Sequence, residues 1–157
     1  ADHGLLHDRC SPFNGLLIHR RVPEQIGFPK AEFFIWGDEV EFLLRALKAK
    51  LAVATLVTAE FRHPRDKMQN IPVRLLWRTC TAHYSGNPRR DVLIVRNDAY
   101  IASHYRGPAA LIKHLLVYSK FYWQRRGWKA GLTACYIALQ GAIGNLKYQP
   151  APLEPTA

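Results

Sequence analysis

The sequence contains few cysteines, and their spacing matches neither a metal site nor a disulfide framework. Its three cysteines, Cys10, Cys80 and Cys135, are odd in number and far apart. No two of them have the Cys-x-x-Cys or Cys/His spacing of a structural zinc site. No disulfide framework is expected either, which suits a reducing compartment.

Long apolar runs and targeting signals are also missing. Residues 130–146 contain no charged residue, but this stretch is shorter than the roughly 20 strongly apolar residues of a membrane span. The N-terminus lacks the apolar core of a signal peptide. The sequence does not begin with methionine, so we expect a fragment or a chain whose upstream part is absent.

Acidic residues are scarce in the second part of the chain. Residues 1–60 carry 7 Lys/Arg and 8 Asp/Glu, whereas residues 61–157 carry 15 and 4, which gives net charges of −1 and +11. A strongly basic segment indicates an anionic partner, such as a lipid surface, a nucleic acid or a phosphate. The composition, 48% hydrophobic and 22% charged over 157 residues, is that of about one globular domain.

The acidic residues that are present concentrate in one motif. Phe33–Phe42 reads Phe-Phe-Ile-Trp-Gly-Asp-Glu-Val-Glu-Phe, so Asp38, Glu39 and Glu41 follow an aromatic-rich run. One interpretation is a helix start, with Asp38 as N-cap and the other carboxylates favoured by the helix dipole. The other interpretation is a cleft in which the carboxylates do acid/base or metal chemistry.

The hydrophobic pattern predicts an α/β organisation. Residues 13–20 are expected to form a turn and a short buried strand, and residues 51–57 a β-branched strand. Helical patterns cover five segments: 21–27, 39–49, 91–106, a segment from Pro108 onwards, and 130–146. Irregular structure is expected in three segments: 1–12, 65–90 with its prolines Pro72 and Pro88, and the tail 149–157.

The segment after the acidic motif has a clear helical period. Its apolar residues form one face: Val40, Leu43, Leu44 and Leu47. Glu41 and Arg45 make an i,i+4 pair, which favours a structural role for Glu41.

Several separated motifs resemble one family. They are Phe13–Val22, Ile26–Pro29, Phe33–Phe42, Arg45 and His63-Pro64. In order and spacing they are similar to the C-terminal half of family 2 glycosyltransferases, in the galactofuranosyl- and rhamnosyltransferase-like branch. The resemblance is specific over residues 13–64 and weaker over 91–147, where Arg96-Asn97 matches an Arg-Asn pair of the family.

This resemblance implies a GT-A (Rossmann-like) fold and inverting transfer of a sugar from a nucleotide-sugar donor to a polysaccharide or lipid-linked glycan. Residues 1–90 would be the acceptor-side half of the catalytic domain, residues 91–148 a C-terminal helical region, and residues 149–157 a Pro-rich tail. The donor-binding half of the family ends in Asp-x-Asp, which does not occur in this sequence. The chain alone is therefore expected to be inactive, or nearly so.

The resemblance implies that Asp38 or Glu39 is the catalytic base. An inverting transfer needs a carboxylate that takes the proton of the acceptor hydroxyl as its oxygen attacks the anomeric carbon. The family has aspartate where this chain has Glu39, and a shift of about 1 Å in a reacting group can cost about a hundredfold in rate. The choice between the two carboxylates stays open.

Other positions of the resemblance imply binding roles. His63 would be a ligand of a divalent cation, Mn²⁺ or Mg²⁺, on the donor diphosphate, the alternative being a surface or capping histidine. Asn14 and Gly15 would lie beside the donor, or form only a turn. Trp36 and Gly37 would line the acceptor pocket, or be a core aromatic and a turn.

Lys50 departs from the family pattern. The family has a glycine there, which closes the helix in a left-handed conformation. Lysine in that conformation would cost about 1 kcal/mol.

The resemblance also implies a cytoplasmic protein, peripheral on the inner face of the cell membrane. Cations and aromatic residues alternate over residues 113–129, as on an anionic lipid surface. They are Lys113, Lys120, Arg125, Arg126 and Lys129 with Tyr118, Phe121, Tyr122, Trp123 and Trp128. The alternative is a solvated helix face whose aromatic residues belong to the core.

Two further hypotheses compete with the enzyme. A basic segment with aromatic residues could bind nucleic acid without catalysis, but no helix-turn-helix, RRM or zinc-finger pattern occurs, so nucleic acid is not the expected partner. Alternatively, the chain is a truncated product that pairs with a separate donor-binding chain. It would then expose apolar surface on the strand 51–57.

Overall fold

The computed structural model describes residues 4–10, 15–62, 68–76 and 78–147. Helices and short sheets occur together, which confirms the α/β class in its broad sense. The chain divides into two units: Ala1–Phe34 with Asp38–Asp66, and Ile35–Gly37 with Lys67–Ala157. No helix within the described ranges is long and apolar enough to cross a bilayer.

The first unit combines a two-stranded sheet with two helices. Strands β1 (Leu5–His7) and β2 (Ala54–Leu56) pair antiparallel. Helix α1 covers Arg21–Ile26, a 3₁₀ turn covers Ala31–Phe33, and helix α2 covers Asp38–Lys48. Both helices were predicted from the sequence, α2 to within a residue at each end.

Two predictions for the first unit are wrong. Residues 5–7 form β1 instead of an irregular segment, and no local pattern signals this because their partner strand is distant in sequence. Residues 15–20 form no strand, and Leu17 is 97% exposed. A strand needs a neighbour for its backbone hydrogen bonds, and β1 and β2 pair with each other instead. β2 is also shorter than the predicted strand 51–57.

Helix α2 is buried differently from its predicted face. Glu41, Phe42 and Ala46 are buried. The four residues of the predicted face, Val40, Leu43, Leu44 and Leu47, are only half-buried. Helix α2 carries apolar residues on more than one side, so its hydrophobic period alone does not show which side is buried.

Lys50 ends α2 in the left-handed conformation that the family resemblance implied for this position. Its φ is 56°, in the left-handed region. The backbone N–H of Leu51 donates to the carbonyl of Ala46 at 3.0 Å, which satisfies an orphan carbonyl at the helix end. A lysine therefore occupies a position that suits glycine.

The longer segment of the second unit starts with a hairpin. Strands β3 (Gln69–Leu75) and β4 (Arg78–Tyr84) pair antiparallel, with Gln69 opposite Tyr84 and Leu75 opposite Arg78. The sequence prediction of an irregular segment over 65–90 is wrong here. Pro72 suggested a break, but proline is tolerated on edge strands, and a two-stranded sheet has only edges.

Helices follow the hairpin as predicted. Helix α3 is Pro88–Ile101 and continues as a π-helical segment, Ala102–Arg106. Helices α4 (Pro108–Arg126) and α5 (Trp128–Ala142) come next, separated by Gly127 with φ of 84°. Asn87 caps α3, its side chain accepting hydrogen bonds from the N–H groups of the first turn.

The core of the second unit joins the hairpin to all three helices. It is formed by these buried residues: Val73, Ala82, Val92, Ile94, Val95, Ala99, Val117, Tyr118, Phe121, Tyr122, Ala134, Ile137 and Ala138. The hairpin thus packs with the helices of the second unit, although the sequence placed it in a domain 1–90. Three aromatic residues of the 113–129 pattern, Tyr118, Phe121 and Tyr122, are core residues, as its alternative expected.

Glycine allows α5 to lie directly against α3. A Cβ at Gly141 would stand 2.0 Å from the carbonyl oxygen of Arg96. That neighbour is helix backbone, which cannot move aside as a flexible side chain could. The two helices therefore meet at a position that excludes every side chain.

We predict that Lys50→Gly raises the free energy of unfolding by about 1 kcal/mol, because glycine adopts the left-handed backbone without strain. Lys48→Gly, two residues earlier and inside α2, should lower it by about 1 kcal/mol. Thermal midpoints of the two variants measure both effects. Shifts of the same sign would contradict the assignment of Lys50 as the helix-closing residue.

We predict that Gly141→Ala lowers the free energy of unfolding of the second unit by about 3 kcal/mol or more, because the methyl group overlaps backbone. Thr133→Ala, at an exposed position of α5, should change it by no more than about 0.5 kcal/mol. Urea unfolding followed by circular dichroism compares the two. Equal stability of both variants would refute the close contact.

Candidate active site

The predicted carboxylate pair stands at the beginning of α2 in the first unit. Asp38 and Glu39 are half-buried, and both lie in the first turn together with Glu41. Carboxylates are favoured there, since the helix dipole is positive at its N-terminus. The motif is therefore a helix start, with Asp38 as the first helical residue instead of the predicted N-cap, and Asp38 and Glu39 are partly accessible.

Glu41 has a structural position. Its side chain is 0% exposed, and its Oε2 accepts a hydrogen bond from Arg45 Nη2 at 2.9 Å. Arg45 also donates to the carbonyls of Ile26 and Phe28. Glu41 therefore holds the arginine that fastens the end of α1 to α2, in agreement with the predicted pair.

Trp36, the proposed acceptor-pocket residue, is anchored within the second unit. Its indole Nε1 donates to Asp98 Oδ1 at 3.0 Å, and its carbonyl accepts from Asn97 Nδ2 at 2.6 Å. The ring lies 5.5 Å from the ring of His83, centroid to centroid, and the guanidinium carbon of Arg90 lies 6.0 Å from its centroid. Side chain and backbone of Trp36 are thus both fixed by α3.

Gly37 follows Trp36 in a conformation that requires glycine. Its φ is 79°, and a Cβ there would stand 3.1 Å from Cδ1 of Ile101. The turn that the sequence predicted at Gly37 therefore also makes a close contact with the end of α3. Any larger residue would be strained in backbone and crowded by Ile101.

Asp98 is a partly buried acid that the sequence analysis did not single out. Burial raises the pKa of its carboxyl, and the hydrogen bond from Trp36 and the charges of His83 and Arg106 counter this only in part. Nearby, burial lowers the pKa of His114 to about 4, and its Nε2 lies 2.9 Å from the carbonyl of Val95. In sequence, Asp98 looks like an ordinary polar helix residue, so only its position next to Arg96-Asn97 could have drawn attention to it.

The remaining predicted site residues are described only in part. Asn14 and His63 lie outside the described residues. Gly15 has φ of 72°, and a Cβ there would stand 2.9 Å from the Phe61 ring. Phe61 therefore explains the glycine without a ligand, and a role of Gly15 beside a donor stays a prediction.

The residues that the structure describes were compared with the ligand sets of metal sites. Among them, no group of three or more His, Cys, Asp or Glu side chains is arranged to hold a metal ion. The predicted ligand His63 is outside these ranges, so the divalent cation stays a prediction. The two units carry the predicted site residues separately: Gly15, Asp38 and Glu39 in the first, Trp36 and Gly37 in the second.

The chain matches no protein-family model and no solved structure. It is 31% identical over 128 residues to the galactofuranosyltransferase GlfT1 of Mycobacterium tuberculosis (strain H37Rv). The aligned segment covers 82% of this chain and 39% of that protein. It is also 29% identical over 99 residues to the protein of the same name from Mycolicibacterium smegmatis. That aligned segment covers 63% of this chain and 32% of that protein. The chain thus spans about two fifths of these relatives or less, and its similarity to them supports a glycosyltransferase.

We predict that Asp98→Asn becomes more stable relative to the wild type as pH rises. The raised pKa means that the folded chain holds the Asp98 proton more tightly than the unfolded chain does. The stabilisation that the protonated Asp98 gives the wild type is therefore lost as pH rises from about 4, the pKa of Asp98 in the unfolded chain, through its pKa in the folded chain. Asparagine keeps an acceptor for Trp36 and has no proton to lose.

Unfolding free energies of both proteins, measured from pH 4 to pH 7, test this prediction. The control is Glu60→Gln, whose carboxylate is 74% exposed and pairs with Arg62. A difference between Asp98→Asn and wild type that does not change with pH would show that Asp98 does not carry a raised pKa.

Proposed function

We propose that this chain forms the acceptor side of an inverting family 2 glycosyltransferase of GT-A fold. One observation carries the proposal: the similarity to a mycobacterial galactofuranosyltransferase extends over 82% of the chain. The motif Phe33–Phe42 adds to it, because its first two carboxylates are half-buried at the start of α2, where an acceptor could reach them. The name of the relatives makes galactofuranose the sugar to test first.

The proposed chemistry needs one carboxylate from this chain. Asp38 or Glu39 takes the proton of the acceptor hydroxyl while the oxygen of that hydroxyl forms a bond to the anomeric carbon of the donor sugar. The bond from that carbon to the nucleotide diphosphate breaks on the opposite face, and its electron pair leaves with the diphosphate. Glu41 is not a candidate base, since it is buried and paired with Arg45.

Trp36 would supply a fixed surface for the acceptor. Hydrogen bonds to Asp98 and Asn97 hold its indole and its carbonyl in the second unit. A residue that is already ordered loses little conformational freedom when a ligand binds. Gly37 would keep the adjoining backbone free of side-chain bulk.

The matched segment covers 39% of the M. tuberculosis relative, so most donor contacts of such an enzyme would come from sequence outside this segment. The predicted donor contacts within it are Asn14, Gly15 and His63. The divalent cation that the family resemblance implies stays a prediction, with His63 as its expected ligand. The exposed side chains of Leu56 and Val57 on and after β2 are of the kind expected if a donor-binding part packs there. A cytoplasmic location, which the family resemblance implies, stays a prediction.

The test is a chimaera in which this chain replaces the matched 128-residue segment of the M. tuberculosis relative. We predict transfer of galactofuranose from its nucleotide-activated form to a glycan acceptor. Asp38→Asn or Glu39→Gln in the chimaera should lower kcat by about 10²- to 10⁴-fold, because the proton acceptor is gone. The variant with the larger loss identifies the base.

Two controls make the result specific. Glu60→Gln removes an exposed carboxylate of the same unit and should leave kcat unchanged. The wild-type chain alone should bind the acceptor in calorimetry, with little or no turnover. A folded chimaera without activity, or activity that neither Asp38→Asn nor Glu39→Gln reduces, would refute the proposed role.

A further inference from the structure

Helix α5 and the residue that follows it expose a row of large apolar side chains. Each is exposed by between 44% and 73%, and they are Trp128, Leu132, Tyr136, Leu139 and Ile143. At about 100° per residue these five side chains fall within an arc of roughly 80°, along about 22 Å of helix. We call these five residues the outer stripe. Exposed apolar surface of this extent usually meets a partner.

The outer stripe does not belong to the core of the second unit. The buried residues of α5 lie on the opposite side of the helix: Gly131, Ala134, Ile137, Ala138 and Gly141. The glycines on that side already bring α5 against the backbone of Ser119 and Arg96. No rotation of α5 could bury the stripe and keep these contacts. A surface that covers the stripe therefore comes from outside the second unit.

The two ends of the stripe have the same spacing. At one end, Trp128 and Leu132 are four residues apart. At the other end, Leu139 and Ile143 are also four residues apart, and the midpoint of the stripe falls between residues 135 and 136. Two copies of α5 packed antiparallel about this midpoint bring Trp128 of each copy level with Ile143 of the other. The two leucines come level in the same way. A twofold axis requires such a self-complementary surface, whereas an unrelated partner does not.

Cys135 and Tyr136 would meet at the twofold axis. Cys135 is half-buried, and it lies about 20° outside the arc of the stripe, on the side of Trp128. Its thiol would come level with the Tyr136 ring of the second copy. Contacts between sulfur and an aromatic ring are favourable. The centre of the stripe therefore also suits pairing with itself.

Charge and area both suit the pairing of two copies. Residues 130–146 contain no charged residue, so the contact would bury no unpaired charge. Lys129 would come level with Ala142 of the second copy, at the edge of the contact and about 20 Å from Lys129 of that copy. At their exposures the five side chains offer roughly 600 Å² per copy, so a pair would bury about 1,200 Å², the lower limit of stable interfaces.

We infer that the outer stripe of α5 is the interface of a homodimer, in which two copies pack antiparallel about a twofold axis between Cys135 and Tyr136. Helices in contact lie about 8–10 Å apart, which the apolar side chains of the stripe would fill. Another apolar surface could cover the same side chains, but it would not require matching spacing at the two ends. This pairing does not depend on the proposed transferase activity.

Sedimentation equilibrium of the chain over a range of concentrations tests the inference. Wild type should form a dimer. The double variant Leu132→Gln/Ile143→Gln should raise the dimer dissociation constant about a hundredfold or more, because the symmetry places each substitution in the contact twice. The matched control Ile112→Gln/Leu116→Gln changes two exposed apolar residues of α4 and should dimerise like wild type. Circular dichroism checks that all variants keep the wild-type fold.

Oxidative cross-linking tests the antiparallel register. The background for it lacks cysteine: Cys10→Ser/Cys80→Ser/Cys135→Ser. Leu132→Cys and Leu139→Cys are then introduced separately. A mixture of the two variants should form a disulfide-linked pair, because residues 132 and 139 come level across the axis. Leu132→Cys alone should cross-link little, since its two copies would stand about 10 Å apart along the helices.

Three outcomes would contradict the inference. The first is a wild type that stays monomeric, and the second is equal weakening of the dimer by both double variants. Efficient cross-linking of Leu132→Cys with itself is the third, because it would overturn the antiparallel register. A monomeric wild type that binds phosphatidylserine vesicles, and loses that binding in Leu132→Gln/Ile143→Gln, would assign the stripe to a membrane instead.

Discussion

The second unit depends on a chain of hydrogen bonds that starts at the buried guanidinium of Arg96. Its Nη1 donates to the carbonyl of Leu146 at 2.7 Å and its Nε to Asn97 Oδ1 at 2.9 Å, while Asn97 Nδ2 donates to the carbonyl of Trp36. A buried charge is costly unless it is hydrogen-bonded. The residues after α5 and the segment Ile35–Gly37 are therefore tied to the same turn of α3.

This arrangement decides what surrounds Trp36. The next residue of α3, Asp98, accepts the indole hydrogen bond, so consecutive residues hold the backbone and the side chain of one tryptophan. Asp98 combines that role with a raised pKa, which comes from the same burial. The segment in front of the carboxylate pair is thus fixed by the core of the second unit rather than by its own local structure.

Residue patterns predicted the helices, the acidic helix start and strand β2, but not the other three strands or Asp98. Pro108 marks the start of α4, and this signal is local. Pro88 begins α3, although the sequence analysis placed it in the irregular segment 65–90. Strand β1 is three residues long and its partner is distant in sequence, so no nearby pattern reveals it. Pro72 concealed β3, and Asp98 depends on a contact with Trp36 across 62 residues. Such contacts arise only when the chain is folded.

The glycines of α5 also limit how this part of the chain can change in evolution. Gly131 and Gly141 meet backbone of α4 and α3 at fixed positions along the helix. One inserted residue between Gly127 and Gly131 would turn everything after it by about 100°. Side chains would then face the backbone of Arg96 and Ser119. Substitutions can accumulate at the exposed positions of α5, whereas insertions and deletions should be confined to the loops.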